Sequence, residues 1–269
     1  MATRGKRAAR APLDALQSPF SLEGRTALVT GAGRGIGRSC ALALAQAGAE
    51  VWLVARSGDE VNQVAAEIRE SGAQARAVAC DVTDLTAVRR TIAAIPVLDI
   101  LVNNAGTNIP EPFLEITEAH LDFLLDLNVR AMFLVAQAAA SKMLEHPARV
   151  SRGAAILNMS SQMGHRGQVN RTVYVMAKHA IEGLTKAMAL ELTGRGIRVV
   201  SIAPTVIDTP MIASRKASPD FAARVVARIP LGRIGMPEEV AAAVVFAASP
   251  AAALLTGSSL LLDGGWTAQ

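Results

Sequence analysis

At 269 residues, 51% hydrophobic and 19% charged, the chain is long enough to bury a substantial core. No uninterrupted apolar run reaches the ~18 residues of a membrane span, so no membrane partner is expected. Its net charge of +4 does not describe a nucleic-acid binder either, because Arg4, Lys6, Arg7 and Arg10 against Asp14 confine most of it to residues 1–20.

Those first 20 residues read as a disordered basic arm without the apolar stretch of a secretory signal, and residues 21–269 as one domain. Within that domain strand and helix patterns alternate. "RTALVT" (25–30) runs into the glycine cluster "TGAGRGIG" (30–37), and a helical segment follows to Gly48. Glycines at a strand-to-helix turn let the backbone approach a pyrophosphate, and the helix presents free N–H groups and the positive end of its dipole. Gly31, Arg34, Gly35, Ile36 and Gly37 are the candidate contacts.

"EVWLVA" (50–55) ends where an acidic residue would hold the ribose hydroxyls of NAD. Here Ala55 leaves room and Arg56 follows, which suits the 2′-phosphate of NADP. Arg34 could reach the same place. The other reading puts both arginines in solvent and Asp59 or Glu60 on the ribose of NAD, so NADP is favoured with NAD left open.

A helix near 58–71, "QARAVAC" (74–80), a helix near 84–95 and "LDILVN" (98–103) come next. The second half continues with one long helix near 117–145, "GAAILNMS" (153–160), a helix near 172–194, "IRVVSIA" (197–203), an irregular stretch 204–236, a helix 237–248 and "SSLLLD" (258–263). Apolar strands with little alternation are covered on both faces. The order predicts an α/β fold with a doubly wound parallel sheet. Cys40 and Cys80 form no CxxC, and the four histidines show no metal-ligand spacing. Free thiols in a reducing cytoplasm are expected.

"TGAGRGIG", "NNAG" (103–106), "NMSS" (158–161) and "YVMAK" (174–178), in this order, resemble the short-chain dehydrogenase/reductases over about residues 22–269. The resemblance implies a seven-stranded Rossmann sheet, a nicotinamide cofactor and a homotetramer. By position, Ser161, Tyr174 and Lys178 match the catalytic serine, tyrosine and lysine, and Asn128 the asparagine of a water relay. Asp81 and Val82 match the adenine contacts, Asn103, Ala105 and Gly106 the adenosine ribose side, and Pro204, Ile207 and Thr209 the nicotinamide and phosphate contacts. Thr205 departs from the family pattern, which has glycine there.

The chemistry of these residue types agrees. Hydride transfer to a ketone leaves an alkoxide to protonate, and the reverse needs a base. Tyr174, the only tyrosine, ionises near ~10 when unperturbed, so bringing it to neutrality asks for roughly 4 kcal/mol of phenolate stabilisation. Lys178, four residues on, shares its helix face and is expected to supply that charge, while Ser161 orients the substrate oxygen.

The substrate is a small carbonyl compound or alcohol lying at the carboxyl ends of the strands, walled by residues 107–113, 162–171 and 208–230. The polar stretch "QMGHRGQVNR" offers Gln162, His165, Arg166 and Arg171, which favours a polyol or sugar acid, unless these side chains face solvent or a neighbouring subunit. The irregular segment 208–230 reads as a mobile substrate lid, with residues 215–216 its expected point of proteolysis. The alternatives are a 3-oxoacyl-carrier-protein reductase, which shares every motif, and a catalytically idle NADP-binding regulator.

Overall fold

The computed structural model describes residues 18–213 and 219–269. Apolar strand segments pair in parallel into one seven-stranded sheet of order β3-β2-β1-β4-β5-β6-β7. The strands are β1 (Thr26–Thr30), β2 (Glu50–Ala55), β3 (Ala75–Ala79), β4 (Ile100–Asn103), β5 (Ala154–Met159), β6 (Ile197–Pro204) and β7 (Ser259–Leu262). The helices are α1 (Gly35–Gln46), α2 (Gly58–Glu70), α3 (Leu85–Ala93), α4 (Glu118–Leu125), α5 (Met132–Leu144), the single turn α6 (Arg149–Arg152), α7 (Thr172–Leu192), α8 (Pro219–Val226) and α9 (Pro237–Ala248).

Successive strand residues point to opposite faces, and the core divides accordingly. Ala27 and Val29 of β1 join α1, α2 and α9 in one apolar layer. Leu28 between them joins α3, α5 and α7 in the other. Helix starts are set locally: the side chains of Ser57, Asp84 and Thr117 accept the first free amides of α2, α3 and α4. Helix α1 has no such cap.

Three expectations change. The helix expected over 117–145 is interrupted by a π-helical stretch, Asp126–Ala131, between α4 and α5. Within it Asn128 Nδ2 donates to the Leu124 carbonyl at 2.9 Å, one of the carbonyls that the altered winding releases from the regular ladder. The run Glu118–Leu144 has bilayer-spanning length and a mean hydropathy of 1.4, but Val135, Ala139 and Met143 of α5 lie in the core. Residues 18–20, placed in the arm by the sequence, touch the domain: Pro19 accepts a hydrogen bond from the Ala251 amide at 3.0 Å and Phe20 packs near Phe246. Residues 1–17 lie outside the described residues, as does the part of the expected lid at 215–216. The stretch 204–236 also contains α8 rather than being irregular throughout.

At the amino ends of the strands Asp99 is buried under arginines. Arg149 Nη1 donates to it at 3.0 Å and Arg152 Nη2 at 2.7 Å. Burial pulls the Asp99 carboxyl upward as the largest single influence, and the hydrogen bonds from Arg152, Arg149 and the Thr26 amide together outweigh it, leaving it below the usual range.

Candidate active site

Strand order reverses between β1 and β4, and a ligand crevice opens at the carboxyl ends of such a pair. Here it is a cavity of about 940 Å³. Its floor is the loop from β1 to α1, with Gly31, Arg34, Gly35, Ile36 and Gly37 all lining it. Gly31 has φ +65°, a conformation that side chains disfavour. A Cβ at Gly37 would run into the Gly31 carbonyl, so only glycine lets α1 start this close to the loop. The uncapped first turn of α1 leaves amides without intrahelical partners, a fitting cradle for the pyrophosphate of a dinucleotide.

At the end of β2, Ala55, Arg56 and Ser57 line the same cavity. Glu60 lines it too, its carboxylate 3.7 Å from Arg34 Nη1. Arginine and acid thus share the ribose end. Asp81 and Val82 line the adenine side, with Asp81 Oδ1 held by the Thr83 amide and hydroxyl at 2.9 and 2.8 Å.

Ala105 and Gly106 line the cavity, but Asn103 does not. Asn103 is turned inward and its Nδ2 donates to the Met132 carbonyl at 2.8 Å. The next residue, Asn104, faces the crevice and ties it to β1 through the Thr30 carbonyl at 2.9 Å. Pro204, Ile207 and Thr209 line the far end.

Ser161 follows β5 in extended backbone and accepts the Met163 amide at 3.1 Å. Tyr174 and Lys178 occupy the first turns of α7, with Lys178 Nζ 5.3 Å from the Tyr174 ring centroid. That ammonium donates to the Met159 carbonyl at 2.7 Å. Asn128, fully buried, accepts the Thr107 amide at 3.1 Å and so fixes the cavity wall after Gly106. Ser161, Tyr174, Lys178 and Asn128 all line the cavity.

The electrostatics differ from the expectation that Lys178 lowers the phenol. Burial pushes Tyr174 up to about 12, with a hydrogen bond from Ser161 and the charge of Arg171 opposing it. Burial also pushes Lys178 down to about 8, against the pull of Glu182. At neutral pH the phenol therefore keeps its proton and the amine its charge, a pair suited to donating a proton to a nascent alkoxide.

The four expected substrate residues do not line the cavity. Gln162 is buried in the turn Gln162–Gly164. His165 Nε2 lies 3.0 Å from Ser259 Oγ, the Arg166 guanidinium sits 5.1 Å over the Trp266 ring, and Arg171 donates to the Asn170 carbonyl at 2.8 Å. Asn108, Ser160 and Thr205 are among the polar residues that do line the cavity. Thr205 keeps its backbone in register, its amide donating to Leu262 at 3.1 Å, so the missing family glycine costs no strand pairing. Asn108 falls in a stretch that the sequence marks as a wall, whereas nothing local signals Ser160 or Thr205.

A glycine cradle joined to a Ser–Tyr–Lys set across one crevice defines a nicotinamide-dependent oxidoreductase. The chain belongs to the short-chain dehydrogenase/reductase family: a family model described as enoyl-(acyl carrier protein) reductase matches residues 31–267. It is 40% identical to L-xylulose reductase of Mus musculus over 93% of this chain and 99% of that one. It is 37% identical to D-threitol dehydrogenase of Mycolicibacterium smegmatis over 92% of this chain and 95% of that one. A gluconate 5-dehydrogenase of Burkholderia cenocepacia, solved with NADP and tartrate, superposes with a TM-score of 0.87 at 32% identity, covering 93% of this chain and 98% of the other.

Proposed function

We propose that the protein is an NADP-dependent reductase that interconverts a ketone and a secondary alcohol on a polyhydroxylated substrate. The observation that carries the substrate class is the polar lining of the cavity that holds Tyr174. Thr107, Asn108 and Thr205 are among the residues that line it. Amide and hydroxyl side chains of this kind suit substrate hydroxyls. A β-ketoacyl thioester would bring no hydroxyls to them. The L-xylulose, threitol and gluconate chemistry named for the relatives points the same way.

The dihydronicotinamide, when bound, supplies the hydride to the carbonyl carbon. Tyr174 gives its phenol proton to the carbonyl oxygen as that oxygen gains charge. Ser161 holds the same oxygen, and the Lys178 ammonium offsets the phenolate that remains. Arg34, Arg56 and Ser57 would receive the 2′-phosphate, which supports NADP over NAD. The same reading has residues 21–269 as one catalytic domain of a soluble, cytoplasmic homotetramer. Exposed Phe113, Leu114, Phe123 and Phe133 support self-association, and light scattering gives the subunit number.

The test is turnover of ketoses, polyols, sugar acids and a β-ketoacyl thioester with each cofactor. Tyr174→Phe is expected to abolish turnover while leaving NADPH affinity nearly intact. Retention of a tenth of kcat would overturn the assignment.

A further inference from the structure

Helix α7 carries a third functional-type group at the spacing of the first two. Glu182 lies one turn beyond Lys178, as Lys178 lies one turn beyond Tyr174. Its 7% exposure is unusual for a carboxylate, and three other elements converge on it. Ser201 on β6 donates to Oε2 at 2.7 Å and Ser259 on β7 donates to Oε1 at 3.4 Å. His165, from the turn after Ser161, places Nε2 3.3 Å from Oε1. Lys178 stands one turn away on the same helix, and the groups in contact with Glu182 are thus two hydroxyls and one imidazole. The turn closes tightly over it, since a Cβ at Gly164 would stand 3.0 Å from Glu182 Cγ and 2.9 Å from Ser160 Oγ.

We propose that Glu182 is a positioning residue for the reaction: its buried carboxylate is the counter-charge that holds the Lys178 ammonium against Met159 and Tyr174, and His165 is its outer partner toward solvent. The proposal rests on reading Lys178 as part of the hydride-transfer site. An ammonium removed from water loses its proton readily unless an anion sits nearby. Among the charged groups described above, Glu182 is the anion that opposes the loss. The Met159 carbonyl fixes where Nζ points, and Glu182 fixes the charge it carries there. The His165 side chain remains 28% exposed and so links the buried carboxylate to the surface.

Competitive acetylation of Lys178 across pH, quantified by peptide mass spectrometry, tests this without substrate or cofactor. The wild-type midpoint is expected near about 8. Glu182→Gln should lower it by about half a unit or more, whereas Glu182→Asp, which keeps the charge, should hold it. An unchanged midpoint in the glutamine variant overturns the proposal, and so does an equal fall in the aspartate variant, which would assign the effect to packing. If the glutamine variant does not fold, Glu182→Met carries the same comparison. In the active enzyme the alkaline limb of kcat moves to lower pH by the same amount. Absence of carbonyl turnover by the wild type would sink the reductase reading while leaving the labelling result to stand on its own.

Discussion

Because Tyr174 is the only tyrosine, its ionisation can be read directly in the near ultraviolet, with no contribution from another phenol. Burial raises it from an ordinary 10.0 to about 12, a gap worth about 3 kcal/mol against the phenolate. The Lys178 charge, 5.3 Å from the ring centroid, would return about 3 kcal/mol at an effective dielectric of about 20. That charge is lost near about 8, well before the phenol ionises. At about pH 11, then, about a tenth of the protein should carry phenolate, against about nine-tenths for an ordinary phenol. Alkaline difference spectroscopy measures the fraction, and circular dichroism at the same pH verifies that the chain is still folded. A phenolate fraction above one half in folded protein refutes the reasoning. The folded-state value lies above the unfolded one, so the stabilising contribution is present below 10.0 and is lost as pH rises toward about 12. Reduction, which needs the protonated phenol, is expected to stay flat through neutrality, and alcohol oxidation to rise with pH.

At the other end of the crevice, Glu60→Gln removes the carboxylate 3.7 Å from Arg34. An exposed pair of this kind is worth about 0.2–1 kcal/mol, so NADPH should bind about 1.5- to 5-fold more tightly by fluorescence titration; weaker binding would show that Glu60 holds the ribose instead. Asp99→Asn leaves the buried Arg149 guanidinium without its anion and should cost about 3–5 kcal/mol in denaturant unfolding, with NADPH affinity retained. The Asp99 carboxyl is held below its usual 3.8, so its contribution is present above that value and is lost as pH falls through the lower folded-state value. Wild-type protein should therefore lose more stability than the variant on acidification.

The parts of the site legible in the sequence are those fixed by short-range geometry. A glycine that must touch another backbone, as Gly37 touches Gly31, cannot be anything else, and Tyr174 and Lys178 face together because a helix repeats every ~3.6 residues. Side chains on strand ends are harder. A strand alternates faces at every residue, so "NNAG" names two asparagines without saying which one enters the crevice. Asn103 goes to α5 and Asn104 to the cavity. The π-helical stretch was equally hidden, because "DLNVRA" has the composition of an ordinary helix. Only the side-chain bond from Asn128 to Leu124 distinguishes it. Burial escaped the sequence altogether, and burial is the largest influence on the phenol.

The polar turn after β5 shows how these limits bear on chemistry. From residue types alone, "QMGHRGQVNR" is the substrate wall. In the fold, the turn Gln162–Gly164 redirects the chain immediately after Ser161, so His165 lands behind α7 beside Glu182 and Arg166 stacks on Trp266. The catalytic helix is therefore served from two sides by different polar groups. In front, Asn108 and Thr205 line the cavity. Behind, His165, Ser201 and Ser259 hold the carboxylate under Lys178. A substitution in front should change which ketone is reduced, seen in KM across substrates. One behind should change the pH at which any ketone is reduced, seen as an equal shift for every substrate. A variant at His165 or Glu182 that altered substrate preference without moving the pH profile would refute this division.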